Sequence, residues 1–219
     1  MAGKLISFDG LDSSGKATQV RLLVERLRAV GQDVLQVETP DYSTPSGKEL
    51  KARLQGKLGD WMTTPWQDKV RYFATNRVEH KDEVITMLKK GGIVVYDRYV
   101  PSSLVFMEIE AKPSERAEVH ATIEQTEYEA NGMPHEHLSL FLDVPPQIAL
   151  KLLGGRKKKR QDDDEYTDQF EVQQKMHEAY IRLASEQPNR VHRIQCVEEG
   201  RLLSPKKIAA KIWTLWEHL

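Results

Sequence analysis

The segment FDGLDSSGKAT, residues 8–18, constrains the fold more than any other part of the chain. Gly10 is followed by four residues and then by Gly15 and Lys16, the spacing of a phosphate-binding loop between a strand and a helix. The glycines let the backbone curl around an anion, so that successive N–H groups point at its oxygens, and the lysine supplies an ammonium group. The residues that we expect to bind nucleotide phosphates are Gly10, Leu11, Asp12, Ser13, Ser14, Gly15, Lys16, Ala17 and Thr18.

The sequence on either side of the loop supports this interpretation over a Gly/Ser turn without function. Leu5, Ile6 and Phe8 form a short apolar run before it, as a buried strand does. After it, apolar residues recur at helical spacing as far as Val30, and Gly31 stands where a helix ends. The sequence therefore predicts a strand, the phosphate loop and a helix in succession.

Ala17 departs from the usual phosphate-loop pattern, in which a Ser or Thr hydroxyl at that position contacts magnesium. Thr18 follows, but it faces a different direction on the helix. Asp12 offers a carboxylate for a metal or for water. It could equally be a turn aspartate that bonds to its own backbone, and the sequence leaves both interpretations open.

The composition limits the kinds of binding partner that we expect. The formal net charge of −1 gives no general attraction to nucleic acid or to a membrane surface, so a small-molecule partner is expected. Cys196 is the only cysteine, which excludes an internal disulfide and argues against a thiolate metal cluster. The sequence predicts one domain over residues 1–219, with no membrane-spanning segment, in the cytoplasm.

The stretch after Thr64 predicts a long helix that reaches Lys89, with Thr64 as its cap and Pro65 as its first residue. Phe73 and Arg77 lie four residues apart and share one face. A flat ring beside a forked donor suits a planar nucleobase. From helix position alone, however, a core Phe73 with a solvated or ion-paired surface Arg77 is favoured.

An apolar strand, residues 93–96, ends in Asp97 and Arg98. In a parallel sheet the carboxyl ends of strands are where ligands bind, so Asp97 is suited to water or substrate around magnesium and Arg98 to a phosphate. The alternative is a salt bridge at the strand end. Further strands at 33–38, 138–144 and 191–194 alternate with helical patterns, which indicates an α/β fold with a parallel sheet.

Gly154 and Gly155 introduce the charged run RKKKRQDDDE before a helix that contains Phe170 and Tyr180. Such a run is usually a solvated face, but here the glycines favour a hinged flap at about residues 154–166.

Taken together, these motifs resemble the thymidylate kinase family. The resemblance covers nearly the whole chain, on FDGLDSSGKATQ, TPDYSTPSGKELKARL, FATNRVEH, DRYVPSS, NGMPHEHLSLFLDVPP, the charged flap and DEYTDQFEVQQKMHEAY. It implies a three-layer P-loop kinase fold, in which helices surround a five-stranded parallel sheet and the flap is a mobile lid. It also implies transfer of a phosphoryl group from ATP, with Mg²⁺, to dTMP, and a homodimer.

The resemblance assigns roles by position. Phe73 would stack on thymine, Arg77 would reach its carbonyl oxygen, and Phe106 would press against the sugar. The first two roles replace the core Phe73 and the surface Arg77 that helix position alone favours. The implied dTMP-binding residues are Asp12, Pro40, Tyr42, Phe73, Arg77, Arg98, Ser102, Ser103 and Phe106. The implied catalytic residues are Lys16, Arg98, Asp97, Asp12, Arg156 and Arg160, with Asp12 and Asp97 as metal ligands.

Several positions differ from the family pattern. The loop contains Ser13 and Ser14 where some members have a catalytic arginine, so the chain resembles the bacterial type, with Arg156 or Arg160 of the lid in that role. Thr167 stands where a glutamate is expected, with Glu165 and Asp168 nearby. Ser103 and Phe106 replace the asparagine and tyrosine of many bacterial members.

Three alternative functions stay open. The chain could be a kinase for another monophosphate or for a nucleoside, or a non-catalytic nucleotide-binding protein. A switch GTPase is disfavoured, because the sequence lacks an Asn-Lys-x-Asp motif.

Overall fold

The computed structural model describes residues 3–157 and 170–219. Five parallel strands form one sheet in the order β2-β3-β1-β4-β5. The strands are β1 Lys4–Asp9, β2 Val34–Glu38, β3 Ile93–Asp97, β4 Leu138–Asp143 and β5 Val191–Gln195. The predicted five-stranded parallel sheet is therefore confirmed, with boundaries that differ by one or two residues.

The register of the sheet gathers the polar strand ends at one edge. Phe8 of β1 is paired with Asp97 of β3 on one side and with Leu140 of β4 on the other. The phosphate loop consequently leaves the middle of the sheet at the same edge as Asp97. Strands β3 and β4 are buried along their whole length, as their continuous apolar sequences require of strands covered on both faces.

Helices flank the sheet. They are α1 Lys16–Ala29, α2 Pro45–Leu54, α3 Trp66–Val78, α4 Lys81–Lys89, α5 Val100–Glu110, α6 Arg116–Glu124, α7 Pro146–Lys157, α8 Phe170–Glu186 and α9 Pro205–Glu217. A 3-10 turn, Pro113–Glu115, and a π-helix, Gln125–Ala130, flank α6, and a short hairpin, β6 Val197–Glu198 with β7 Arg201–Leu202, follows β5. The 3-10 turn separates α5 from α6, and α9 is capped by Ser204, whose side chain accepts a hydrogen bond from the Lys207 N–H.

The prediction of a single helix from Thr64 to Lys89 is wrong, because α3 ends at Val78 and α4 begins at Lys81. At the break the Glu79 carboxylate accepts a hydrogen bond from the backbone N–H of Ser46, 3.2 Å away, which ties this corner to the first turn of α2. Thr64 is not the cap either. Its hydroxyl donates to the carbonyl oxygen of Asp60 at 3.0 Å, and Pro65 takes the cap position.

Helix α7 continues through Gly154 and Gly155 to Lys157, so the two glycines that precede the predicted flap lie within a helix. Most of the predicted lid, residues 158–166, lies outside the described residues. The division of the chain into a domain and a mobile lid therefore stays a prediction. Across the described ranges, no helix combines the length and the apolar character needed to span a bilayer.

Candidate active site

The phosphate loop curls at three positions where the backbone has positive φ: Gly10 at 139°, Ser13 at 60° and Gly15 at 96°. At Gly10 a β-carbon would also lie only 3.0 Å from the carbonyl oxygen of Leu142 in β4, so a side chain is excluded on two grounds. The loop runs directly into α1, which begins at Lys16. The free N–H groups of that helix end make the loop suited to an anion.

Lys16 lies inside the loop with only 7% of its surface exposed. Its ammonium group donates to the carbonyl oxygens of Gly10 at 3.2 Å and of Leu11 at 2.8 Å. Burial, with a smaller contribution from Arg98, lowers the pKa of Lys16 to about 8, against the opposing effect of Asp12 and Asp97. The lysine therefore holds the loop closed and is placed to exchange these carbonyls for phosphate oxygens.

Ser14 supplies a buried hydroxyl to the phosphate loop, whereas Ala17 has none. Its Oγ is buried and has no hydrogen-bond partner within the described residues. A β-carbon on Gly10 would lie 3.3 Å from this Oγ, so the hydroxyl is close to the loop's first glycine. By contrast, Ala17 is exposed and Thr18 is partly exposed. An unpaired buried hydroxyl in a phosphate loop is suited to a phosphate oxygen or to water around a metal ion.

Arg98 connects the end of β3 to the phosphate loop. Its backbone has φ of 68°, an uncommon conformation for a side-chain-bearing residue. One guanidinium nitrogen donates to the carbonyl oxygen of Gly10 at 3.1 Å, and another forms an ion pair with Asp12. Burial lowers the pKa of Arg98, but Asp12 together with Tyr180, Asp97 and Asp9 outweighs this effect and raises it. This fixed cation is suited to a phosphate group, and Asp12 is an ion-pair partner rather than an isolated carboxylate.

Asp97 is buried beside these cations, and burial raises its pKa against the lowering effect of Lys16 and Arg98. No group of three or more His, Cys, Asp or Glu side chains arranged to hold a metal ion occurs in the described part of the chain. Mg²⁺ in nucleotide sites is held by one or two carboxylates together with phosphate oxygens and water. Asp97 and Asp12 fit that smaller set.

A cleft of about 720 Å³, solvent at its mouth included, opens beside the phosphate loop. All nine residues that the resemblance assigned to the acceptor line it: Asp12, Pro40, Tyr42, Phe73, Arg77, Arg98, Ser102, Ser103 and Phe106. Thr39, next to Pro40, lines it as well, and the lining residues that no sequence pattern assigned to the acceptor are Leu54, Trp61, Met107 and Glu110. Of these, Glu110 was detectable in principle, because it lies four residues after Phe106 on the same face of α5.

Helices α3 and α5 form one wall of the cleft through a ladder of paired side chains. Its rungs are Arg77 with Ser103 at 3.0 Å, Phe73 with Phe106 at 6.5 Å between ring centroids and 29° between planes, and Lys69 with Glu110 at 2.5 Å. Successive rungs are one helical turn apart on each helix, and the numbering runs in opposite directions. The ladder places a guanidinium and a pair of aromatic rings side by side on the cleft wall, which suits a flat polar ring.

Arg77 is not the surface residue that helix position favoured. Only 2% of it is exposed, and it forms an ion pair with Glu127. Burial lowers the pKa of Arg77, and its guanidinium lies 5.4 Å from the ring centroid of Tyr99. Phe73 is half-buried against the core while it lines the cleft.

The loop with Thr39, Pro40 and Tyr42 is held against the cleft by Asn76 of α3. The Asn76 side chain accepts from the backbone N–H of Asp41 at 2.8 Å and donates to the Asp41 carbonyl oxygen at 3.2 Å. Its amide nitrogen also donates to the Thr44 hydroxyl at 2.9 Å. A buried side chain with these bonds positions a loop that has no regular structure of its own.

Asp9 is a further residue that the sequence analysis passed over. It ends β1, is fully buried, and accepts hydrogen bonds from the hydroxyls of Ser7 at 2.7 Å, Ser139 at 3.0 Å and Ser102 at 2.6 Å. Ser102 lines the cleft and also contacts the Tyr180 hydroxyl at 3.0 Å. Asp9 thus ties the phosphate-loop strand to the cleft wall; its position directly before Gly10 was the available signal.

The remaining predicted residues belong to the lid. Arg160 lies outside the described residues, as do Glu165, Thr167 and Asp168. The backbone of Arg156 is part of α7. The assignment of a lid arginine therefore stays a prediction.

Comparison with known proteins places this geometry in context. A family model described as thymidylate kinase matches residues 8–203. The thymidylate kinase of a Synechococcus species is 32% identical over 213 residues, which are 97% of this chain and 93% of that protein. The thymidylate kinase of Caldanaerobacter subterraneus subsp. tengcongensis is 28% identical over 211 residues, 96% of this chain and 95% of that protein.

Among solved structures, a crystal structure of thymidylate kinase from Ehrlichia chaffeensis superposes with a TM-score of 0.65 over 99% of each chain. Its sequence identity to this chain is 18%, so this likeness supports the fold.

Proposed function

The chain belongs to the thymidylate kinase family, and on that premise we propose a role for each site residue in the transfer of the γ-phosphoryl group from ATP to dTMP. The activity is that of a nucleoside monophosphate kinase, which forms dTDP and ADP. One observation supports these roles most directly. Arg98 lines the acceptor-type cleft and at the same time contacts Gly10 and Asp12 of the phosphate loop, so donor and acceptor phosphates would meet at this side chain.

The donor side consists of the phosphate loop and Lys16. Phosphoryl transfer requires that two polyanions be brought into line, that their charge be neutralised and that water be excluded. Loop N–H groups and the end of α1 would bind the β- and γ-phosphates of ATP, and Lys16 would leave the Gly10 and Leu11 carbonyls to contact them. Because Lys16 is already inside the loop, little rearrangement is needed.

The acceptor side consists of the α3–α5 wall. Thymine would stack on Phe73 while the Arg77 guanidinium donates to a carbonyl oxygen of the base, and Phe106 would pack against the deoxyribose. Arg98 would hold the phosphate of dTMP. The order of these residues along the cleft fits a nucleotide, because Arg98 lies 5.4 Å from the Phe106 ring and Phe106 in turn faces Phe73.

Asp97 and Asp12, whose charges act on Lys16, are the carboxylates that would hold Mg²⁺ together with the phosphates of ATP. The ion would neutralise charge on the donor phosphates. The buried hydroxyl of Ser14 offers an oxygen that the Ala17 position lacks. Arg156 or Arg160 of the lid would complete the neutralisation when the lid closes.

A coupled ADP-release assay tests the proposal. It would use ATP and Mg²⁺ with dTMP, dUMP, UMP, CMP, AMP and GMP, each at the same concentration. We expect a clear preference for dTMP. Preference for another monophosphate would retain the kinase and overturn the acceptor site described above. Turnover with none of the six, despite measurable ATP binding, would indicate a non-catalytic nucleotide-binding protein.

The homodimer remains a prediction of the resemblance, and the cytoplasmic location remains a prediction from the sequence. Sedimentation of the purified chain would test the first, with a mass of twice 25.2 kDa as the expected result. Fractionation of the source cells would test the second.

A further inference from the structure

Glu127 is a buried carboxylate to which neither the sequence analysis nor the proposed mechanism gives a role. Only 1% of it is exposed, and it forms an ion pair with the equally buried Arg77. Arg77 lines the cleft, whereas Glu127 is absent from the cleft lining. The carboxylate therefore lies behind the guanidinium, on the side away from the acceptor.

The hydrogen bonds of Arg77 show how firmly its guanidinium is oriented. Nη1 contacts Glu127, and Nη2 donates to the Ser103 hydroxyl at 3.0 Å and to the Tyr99 carbonyl oxygen at 3.4 Å. Nε has no hydrogen-bond partner within the described residues, although it is buried. A guanidinium has five N–H donors, so this arrangement holds it from behind and keeps donors available for another acceptor.

Glu127 reaches this position through an irregular piece of helix. It belongs to the π-helix Gln125–Ala130, a wider turn than the α-helix that precedes it. The wider turn lets consecutive residues, Glu127 and Tyr128, both face the interior. Tyr128 anchors the turn, because its hydroxyl donates to Glu136 at 2.8 Å and Arg190 lies over its ring. The carboxylate is thus on a fixed element rather than on a loop.

From these observations we propose that Glu127 is a positioning residue for Arg77, and that the charge pair makes the acceptor site select a carbonyl rather than an amino group on the pyrimidine ring. A guanidinium only donates hydrogen bonds, so it can pair with the oxygen of thymine but not with the exocyclic N–H₂ of cytosine. Glu127 prevents the guanidinium from turning away when the wrong base enters. This inference rests on the proposed function, in which Arg77 contacts the base.

The test compares Glu127→Gln with Glu129→Gln. Both variants lose one negative charge from the same π-helix, but Glu129 is exposed. The KM for dTMP, the KM for ATP and the ratio of kcat/KM for dTMP to that for dCMP would be measured for each. We expect Glu127→Gln to raise the KM for dTMP by about tenfold, to leave the KM for ATP within about twofold, and to lower the dTMP to dCMP ratio by about tenfold. Glu129→Gln should match the unmodified protein.

A double-variant cycle separates positioning from general destabilisation. If Glu127 acts through Arg77, adding Glu127→Gln to Arg77→Gln should change the dTMP to dCMP ratio no further. Unchanged selectivity in a Glu127→Gln protein that folds, or an equal rise in both KM values, would overturn the inference. The same is true if the two substitutions act additively on selectivity. Failure of the unmodified chain to phosphorylate dTMP would instead overturn the proposed function, so the two failures are distinguishable.

Discussion

The ammonium group of Lys16 lies 2.8 Å from the carbonyl oxygen of Leu11, five residues before it, inside the loop that would bind the donor phosphates. The contact closes the loop on itself without an anion. When phosphates enter, the lysine has charged oxygens to contact instead, which are stronger acceptors than backbone carbonyls. Two predictions concern this residue.

Replacing Lys16 with alanine should lower the phosphoryl-transfer rate by orders of magnitude while the fold is kept, because a charge that neutralises the transferring group is removed. Turnover would be measured with saturating ATP and dTMP, and the fold by circular dichroism. Lys48→Ala, which removes an exposed lysine of α2, is the matched control and should retain its activity. Near-normal turnover of Lys16→Ala would refute the assignment.

The affinity for ATP should fall as the pH rises above about 8. Burial holds the pKa of Lys16 at about 8 in the ligand-free protein, so above that pH the folded chain increasingly holds the neutral amine. If only the ammonium form binds phosphate, the dissociation constant rises by about tenfold for each further pH unit, and it is nearly constant well below pH 8. Equilibrium titration with ATP, repeated about every half pH unit between about pH 6.5 and about pH 9.5, would measure the dissociation constant. Lys16→Met should bind weakly without that dependence; the same slope in the variant would mean that another group titrates.

The third prediction concerns the stability of the buried pair. Arg77→Ala should lower the free energy of unfolding by about 3–5 kcal/mol, because it leaves the Glu127 carboxylate buried without its counter-charge. Urea unfolding followed by circular dichroism gives the value. Arg21→Ala is the control, since Arg21 pairs with Glu25 on the exposed surface of α1 and should cost less than about 1 kcal/mol. Similar costs for both variants would show that the Arg77 pair is solvated.

Arg77 also shows where sequence-based prediction succeeds and where it stops. Phosphate-loop spacing, the acid and arginine at the end of β3, and the strands are local patterns, and the structure places them as expected. The burial of Arg77 depends on Glu127, fifty positions later, and no local pattern indicates that contact. The break between α3 and α4 likewise coincides with a hydrogen bond between Glu79 and the first turn of α2, more than thirty residues earlier. The burial of Arg77 and the helix break therefore depend on contacts between residues far apart in the sequence, and the spacing of residues along one helix does not predict such contacts.

The last prediction concerns Lys69 and Glu110, the third rung of the α3–α5 ladder. Lys69 is almost fully buried, 1% exposed, and its ammonium group lies 2.5 Å from the Glu110 carboxylate and 5.0 Å from the Trp61 ring centroid. Lys69→Met should lower the free energy of unfolding by about 3–5 kcal/mol, since Glu110 keeps its charge and loses its partner. The double variant Lys69→Met/Glu110→Leu should recover most of that loss, because two apolar side chains carry no desolvation cost.

Urea unfolding of the single and double variants would measure both values. Lys211→Met is the matched control, because Lys211 forms an exposed pair with Glu198 and its loss should cost less than about 1 kcal/mol. A double variant that is less stable than Lys69→Met would contradict the prediction, since it would mean that Glu110 stabilises the fold through contacts other than this pair. Recovery of stability would instead show that the charges at this end of the cleft are dispensable for folding, and the double variant could then be assayed for its effect on dTMP turnover.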